Sequence, residues 1–364
     1  MKKNILLVSL QKSGGVALDF LNFTKGLSEK GFFHTACISF HNEFRDEHEQ
    51  INNSDILLVR THGSRTVDFL VSIFLLRPFV FLLKIVKTRA DIVHVANFHP
   101  WIFLLYAVRP FCRFKILYAC HDNPFRPKEP HPPVMDVLER FFARHADAVI
   151  AYSSFARDDI QSYISRNVFI LPLIVPELAY GALNKKPLAK ELRILFFGRI
   201  ETYKGIDTLV DAFEILHNEK IPISLTLAGR GDIPLSLREK ISLLGIHLLN
   251  SWISNEDLVS LLESTDIVAA PYKTATQSAV VLLALSYGIP VIATNTGSIS
   301  EYVRDGYNGL LIEPNKPHEL ASCIRKIDKD RKVLGYVSKN SAEIREKFSP
   351  RHVAEIAIDI YRSF

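Results

Sequence analysis

Cysteine is scarce. Four residues (Cys37, Cys112, Cys120 and Cys323) are spread over 364 positions, with no CxxC pair. That spacing excludes a zinc ribbon or a disulfide-built scaffold and fits a reducing compartment. The G-x-G-x-x-G fingerprint is missing as well: the run after the first apolar segment reads Gly14-Gly15-Val16-Ala17-Leu18-Asp19. A nicotinamide-dependent dehydrogenase is therefore disfavoured. The N-terminus, MKKNILLVSLQKSGG, lacks the longer apolar region and small-residue cleavage site of a signal peptide, so its apolar run reads as a first buried strand. Val67–Val86 is long enough to span a bilayer but contains Asp68, Arg77, Pro78 and Lys84. Each central charge costs about 2.5–3.5 kcal/mol on insertion scales. We expect a helix broken at Arg77-Pro78, part core and part membrane-facing; the alternative is a plain core helix.

What is present is a well-mixed globular chain. Hydrophobic residues make up 48% and the mean hydropathy is +0.11, which excludes a disordered or collagen-like chain. The length suits two domains. The net charge of +5 is unevenly placed. Arg60–Lys115 holds nine Lys or Arg against two Asp, and it is rich in Phe, Leu and Val. A basic and apolar surface points to anionic lipid rather than nucleic acid.

Short apolar runs alternate with helical patterns. Asn4–Ser9, Asp55–Val59, Asp91–Val95, Lys115–Ala119 and Asp147–Tyr152 read as strands, with helices at Val16–Lys30 and Val134–His145 between them. After a polar, proline-containing patch at Tyr180–Lys190 the alternation restarts. Its strands are Leu192–Phe197, Ile223–Ala228, Ile246–Asn250, Asp266–Ala270, Pro290–Ala293 and Gly309–Ile312. The expected fold class is α/β, with two facing Rossmann-like domains and a ligand in the cleft at the carboxyl ends of the strands. The proline-dense loop Pro124–Pro133 is placed as a lip of that cleft.

Four segments carry chemistry. Ser13-Gly14-Gly15 precedes a helix, where backbone N–H groups favour an anion; a simple tight turn is the alternative. Phe197-Gly198-Arg199 through Lys204-Gly205 closes one strand and opens the helix Ile206–Leu216. Its two cations suit a diphosphate and its departing charge. Leu227–Asp232 is a second Gly turn with two readings, support for the phosphate loop or a plain turn of the chain, the structural one being preferred. Ala270–Val280 ends a strand and opens the helix Ala279–Tyr287, capped by Thr276 or Ser278; the helix start reads equally as an anion site or as a bare cap.

The Arg199…Lys204-Gly205 loop, the run Gly288-Ile289-Pro290-Val291-Ile292-Ala293 and the stretch Thr296-Gly297-Ser298-Ile299-Ser300-Glu301-Tyr302-Val303 resemble the GT-B glycosyltransferases of family 4 and group 1. The resemblance is strong over residues 190–345 and weaker over 1–180. It implies an acceptor domain at 1–183, a nucleotide-sugar domain at 184–345, and a final helix at 346–364 crossing back to the first domain.

It also implies site residues. Arg199 and Lys204 would grip the donor diphosphate, with Gly198 beside them and Gly14 and Gly15 facing from the other domain. His121 and Asp122, at the end of strand Lys115–Cys120, match a family His near the donor sugar. Glu301 matches an acidic residue after a glycine turn, here Gly297-Ser298. Many members carry two glutamates before the G-x-P-V-I run; Ala275 and Leu283 stand in those places. The segment instead resembles a Thr-Gln-Ser-Gly variant with Ala279 replacing Gly, so Thr276, Gln277, Ser278, Ala279 and Val280 are expected to hold the donor.

The implied activity is retaining hexosyl transfer from a nucleotide-diphosphate sugar. The expected acceptor is a lipid-linked glycan intermediate of bacterial surface polysaccharide, met at the inner face of the cell membrane. No cofactor is expected, and no metal is essential, because Arg199, Lys204 and helix N-termini supply positive charge. A sugar-nucleotide epimerase on the same fold would need acid/base carboxylates. A non-catalytic, membrane-associated relative would show no nucleotide-dependent stabilisation.

Overall fold

The structure, a computed structural model, describes residues 3–61, 75–121, 133–175, 189–340 and 342–364. The chain divides into two compact units: Met1–Pro176 with Phe348–Phe364, and Glu177–Lys347.

The first unit is built on seven parallel strands: β1 (Ile5–Ser9), β2 (His34–Ser39), β3 (Ser54–Val59), β4 (Ile92–Val95), β5 (Lys115–Cys120), β6 (Ala148–Ala151) and β7 (Asn167–Ile170). Their order is β3-β2-β1-β4-β5-β6-β7. β1, β4, β5 and β6 are largely apolar and buried because helices cover both faces. Alternate residues of β1 serve the two cores: Leu6 and Val8 join Val93, Tyr118, Phe81, Trp101 and Phe142, whereas Ile5 and Leu7 join Phe20, Phe23, Leu117, Val353 and Tyr361.

Two strands were not anticipated. In β2 the run His34-Thr35-Ala36-Cys37-Ile38-Ser39 is entirely buried, but its polar members disguise it as a loop. β7 is a short edge strand beginning at Asn167.

The helix Gly15–Glu29 packs against the final helix, Pro350–Ser363, which is capped by Ser349 accepting from the His352 amide at 3.2 Å. A Cβ on Gly26 would collide with the Pro350 carbonyl oxygen, so the two helices meet through bare backbone there. Tyr361 seals the contact with a 2.6 Å hydrogen bond to His94 Nδ1.

Helix Arg77–Lys87 carries proline in its first turn. Residues 67–74 of the anticipated stretch lie outside the described residues. The helix buries Pro78, Phe81 and Ile85 and leaves Phe79, Val80, Leu83 and Val86 outside. Among the described residues, no helix is long and apolar enough to cross a membrane.

The second unit holds six parallel strands: β8 (Leu192–Phe197), β9 (Ile223–Ala228), β10 (His247–Leu249), β11 (Ile267–Ala270), β12 (Val291–Thr294) and β13 (Gly309–Ile312). Their order is β10-β9-β8-β11-β12-β13. The order reverses between β8 and β11, and the carboxyl ends at such a reversal form a ligand-binding crevice. A buried ion pair fixes these two strands at their starts. Asp266 takes the Arg193 amide at 2.9 Å and its guanidinium at 2.7 and 3.0 Å.

These observations give a stability prediction. Gly26→Ala forces the two helices of the first unit apart and should lower unfolding stability in urea by about 1–3 kcal/mol. An unchanged midpoint would contradict the close approach.

Candidate functional site

In the second unit, the loops leaving β8 and β11 meet at the reversal. Gly198 follows β8, and a Cβ on it would lie 3.2 Å from Val280, placing the loop against the first turn of helix Ala279–Ser286. Gly205 has φ 69°, and a side chain there would strike the Pro271 carbonyl, so glycine is required for the two loops to touch. The loops are clamped twice more. The Lys273 amide donates to the Tyr203 carbonyl at 2.7 Å, and Lys273 Nζ pairs with Asp207 at 2.5 Å. The Gly turn after β9 supports them through backbone alone, the Ile200 amide donating to Arg230 O at 2.9 Å. That agrees with its structural reading.

Lys204 sits at the centre. It is only 8% exposed, and its ammonium donates to the Tyr272 hydroxyl at 2.9 Å while lying 4.3 Å from that ring's centroid. Ser278 Oγ donates to the same hydroxyl at 3.2 Å and caps the helix by accepting from the Val281 amide. The Ser278 amide in turn donates to the Tyr302 hydroxyl at 2.7 Å, beside Ser298.

Burial lowers the Lys204 pKa, Tyr203 opposes that, and the Arg199 charge adds to the lowering. Burial pushes Tyr272 up to about 12, so its hydroxyl is a neutral partner. Among the described residues no carboxylate lies within ion-pair distance of Lys204. The result is a buried positive charge held by neutral groups, next to a helix N-terminus whose first amides favour negative charge.

The other expected donor residues can be placed around this cluster. Arg199 is exposed at 75% of its side chain and pairs with Glu201 at 2.8 Å. The Ser298 amide donates to Thr276 O at 3.3 Å, which brings the Gly297 turn onto the Gln277-Ser278 segment. Glu301 lies exposed on the short helix Ile299–Tyr302. Gly198, Lys204, Thr276, Ser278, Val280 and the Ser298–Tyr302 turn thus share one place. Of the two capping candidates, Ser278 is the cap.

In the first unit, Gly14 is the N-cap of helix Gly15–Glu29 with φ 86°, and its amide donates to Glu43 at 2.7 Å. A side-chain carboxylate therefore occupies the place expected for an anion. His121 follows β5 and stacks on Tyr152 at 4.5 Å between ring centroids. Its Nε2 lies 3.0 Å from the Ala96 carbonyl, which only accepts, so that nitrogen carries the proton. Asp122 and most of the Pro124–Pro133 loop lie outside the described residues.

Several residues escaped the sequence reading. Tyr272 and Tyr302 are aromatic residues in apolar settings, and nothing in their pattern reveals a hydroxyl directed at Lys204 or Ser278. Asp19 had a usable signal: it is a lone carboxylate amid Ala17, Phe20, Leu21 and Phe23 on a buried helix face. An Asp-x-Asp spacing occurs at Asp328-Lys329-Asp330. It ends the helix Pro317–Lys329, with Asp328 paired to Arg331 at 2.5 Å and Asp330 accepting from the Lys332 amide. Both are structural roles. Among the described residues no three His, Cys, Asp or Glu gather as a metal site.

Comparison with known proteins gives the family. Residues 183–344 match the family described as glycosyl transferases group 1, and residues 13–175 match glycosyltransferase family 4. The chain belongs to these GT-B glycosyltransferases.

It is similar to an uncharacterised glycosyltransferase of Methanocaldococcus jannaschii, 26% identical over 220 residues, covering 58% of this chain and 59% of that protein. The chain thus spans about three fifths of that relative's length. An uncharacterised 41.2 kDa protein in the cps region of Klebsiella pneumoniae is 23% identical over 389 residues, covering 99% of this chain and all of the relative. The fold is shared with Anabaena HepE, solved in complex with UDP and glucose, at a TM-score of 0.74 and 19% identity over the whole of both chains.

Asp19 generates a pH prediction. Burial raises its carboxyl to about 7, against the opposing hydrogen bond from the Ile174 amide. The folded state then holds a proton that the unfolded chain has released, so stability falls as pH rises from about 4 to about 7. Asp19→Asn should flatten that fall, gaining about 1–2 kcal/mol on the wild type between pH 4.5 and pH 8 after allowance for partial exposure. Parallel unfolding curves for the two proteins across that range would contradict it.

Proposed function

We propose that this protein transfers a sugar from a nucleotide-diphosphate donor to a hydroxyl acceptor, with retention at the anomeric carbon. The observation that carries the reading is the buried Lys204 ammonium, offered beside the N-terminus of helix Ala279–Ser286 with no carboxylate partner among the described residues. As the bond between sugar and diphosphate breaks, negative charge grows on the diphosphate. A cation already desolvated and fixed by Tyr272 stabilises that charge with little reorganisation. Arg199, on the solvent side of the same loop, adds a guanidinium suited to phosphate oxygens once it leaves Glu201. These groups supply the positive charge that a divalent ion would otherwise bring, so the reaction is proposed to need none.

Thermal unfolding with UDP, GDP and ADP and their sugars tests the donor class. At a concentration of 100 Kd the correct nucleotide contributes about 2.7 kcal/mol. This corresponds to several degrees in a protein of this size. Lys204→Met keeps the apolar stem and should abolish the shift, and Arg199→Ala should weaken it. UDP leads the panel because HepE binds it. No shift with any nucleotide in the wild type would contradict the proposal.

The acceptor is proposed to be a lipid-linked glycan of surface-polysaccharide assembly, met at the inner membrane face. The support is the outer side of helix Arg77–Lys87, where Phe79 (54% exposed), Val80, Leu83 (62%) and Val86 stand beside the exposed cations Lys87 and Arg89. Lys84 is not part of that surface, since its ammonium turns inward to the Leu58 carbonyl at 2.7 Å. Burying apolar side chains in the interface while cations meet anionic headgroups is the arrangement of a peripheral helix. Phe79→Ser with Leu83→Ser should sharply reduce flotation with anionic vesicles while leaving the nucleotide shift intact. Unchanged flotation of the folded variant would contradict the membrane contact.

A further inference from the structure

The loop that carries Arg199 and Lys204 also carries a carboxylate. Glu201 stands between the two cations, at the N-cap position of the short turn Thr202–Lys204. A side-chain oxygen in that position ordinarily accepts from the turn's own amides. Glu201 makes no such bond. It turns back instead to the Arg199 guanidinium at 2.8 Å.

That pair ties no elements together. Its members are two residues apart, whereas the other ion pair at this loop, Lys273 with Asp207, spans 66 residues and clamps the two loops. The main chain on either side is already fixed. The Ile200 amide donates to Arg230 O, and the Lys204 amide donates to Glu201 O, both at 2.9 Å. Making or breaking the pair therefore takes side-chain rotation alone. Both side chains meet solvent, Arg199 at 75% and Glu201 at 36% exposure. Ion pairs in that setting are weak and screened by salt. The carboxylate also acts beyond its partner: burial lowers the Lys204 pKa, and the Glu201 charge is among those opposing it. One internal anion thus offsets both cations of the loop.

We infer that Glu201 is a counter-ion for Arg199 that the donor's diphosphate displaces, and that returns to the guanidinium as the nucleoside diphosphate product leaves. This rests on the glycosyltransferase reading and assigns the regulation of the same site. A diphosphate carries more charge than a carboxylate and accepts from a guanidinium through two oxygens, so it wins the exchange when present. When it departs, Glu201 recaptures Arg199. The residue gives up donor affinity in return for product release, a step that limits turnover in many enzymes.

Calorimetric titration of the full chain with UDP, GDP and ADP, at low and at high salt, tests the exchange. Glu201→Gln should bind the nucleoside diphosphate about two- to fivefold tighter than the wild type at low salt. High salt should shrink that gap. Glu219→Gln removes the same charge from an exposed pair with Arg325 elsewhere in the second unit, and it should bind as the wild type does. In an Arg199→Ala background, Glu201→Gln should lose most of its gain. Two results would overturn the proposal: equal affinity in wild type and Glu201→Gln, or a gain that survives in full without Arg199. Failure of both the wild type and Glu201→Gln to bind any of the three nucleotides would instead remove the donor reading, and this inference with it.

Discussion

A buried ammonium with no counter-ion among the described residues is the constraint on which the second unit turns. Desolvating a charge is costly, and proteins ordinarily answer it with a carboxylate. Here the answer is a phenol, a ring face and a neighbouring helix N-terminus. Such an arrangement is stable enough to fold because the ammonium keeps one good hydrogen bond and the Tyr272 face beneath it. It is also unsatisfied enough to want an anion.

The surrounding structure serves that geometry. The Arg193–Asp266 pair sets β8 and β11 side by side, so the loops that leave them emerge together. Gly205 lets those loops touch. Tyr302 and Ser298 then hold the Ser278 segment from the far side, which fixes the helix start. The chain of contacts runs from a strand pairing set by one ion pair to the position of one nitrogen.

Much of the architecture was legible because parallel strands covered on both faces read as unbroken apolar runs. β8, β9 and β13 fall where the apolar pattern puts them to the residue. β2 was not legible because His34, Thr35 and Ser39 are buried polar residues whose environment depends on partners distant in sequence: Ser39 Oγ, for example, bonds Thr61. At the site, the loop glycines and cations stand out in sequence because strand ends expose them. Tyr272 and Tyr302 do not, since a hydroxyl's role depends on where three loops converge. The Glu43 carboxylate at the Gly14 amide is hidden for the same reason, lying 29 residues from its partner.

The central claim is that Lys204 is the buried cation of a diphosphate site. Isothermal titration of wild type, Lys204→Met and Lys204→Arg with the nucleoside diphosphate that stabilises the wild type tests it most directly. The account predicts binding lost by at least a hundredfold in Lys204→Met, with the fold intact by circular dichroism, and partly kept in Lys204→Arg. Equal affinity in wild type and Lys204→Met would contradict it.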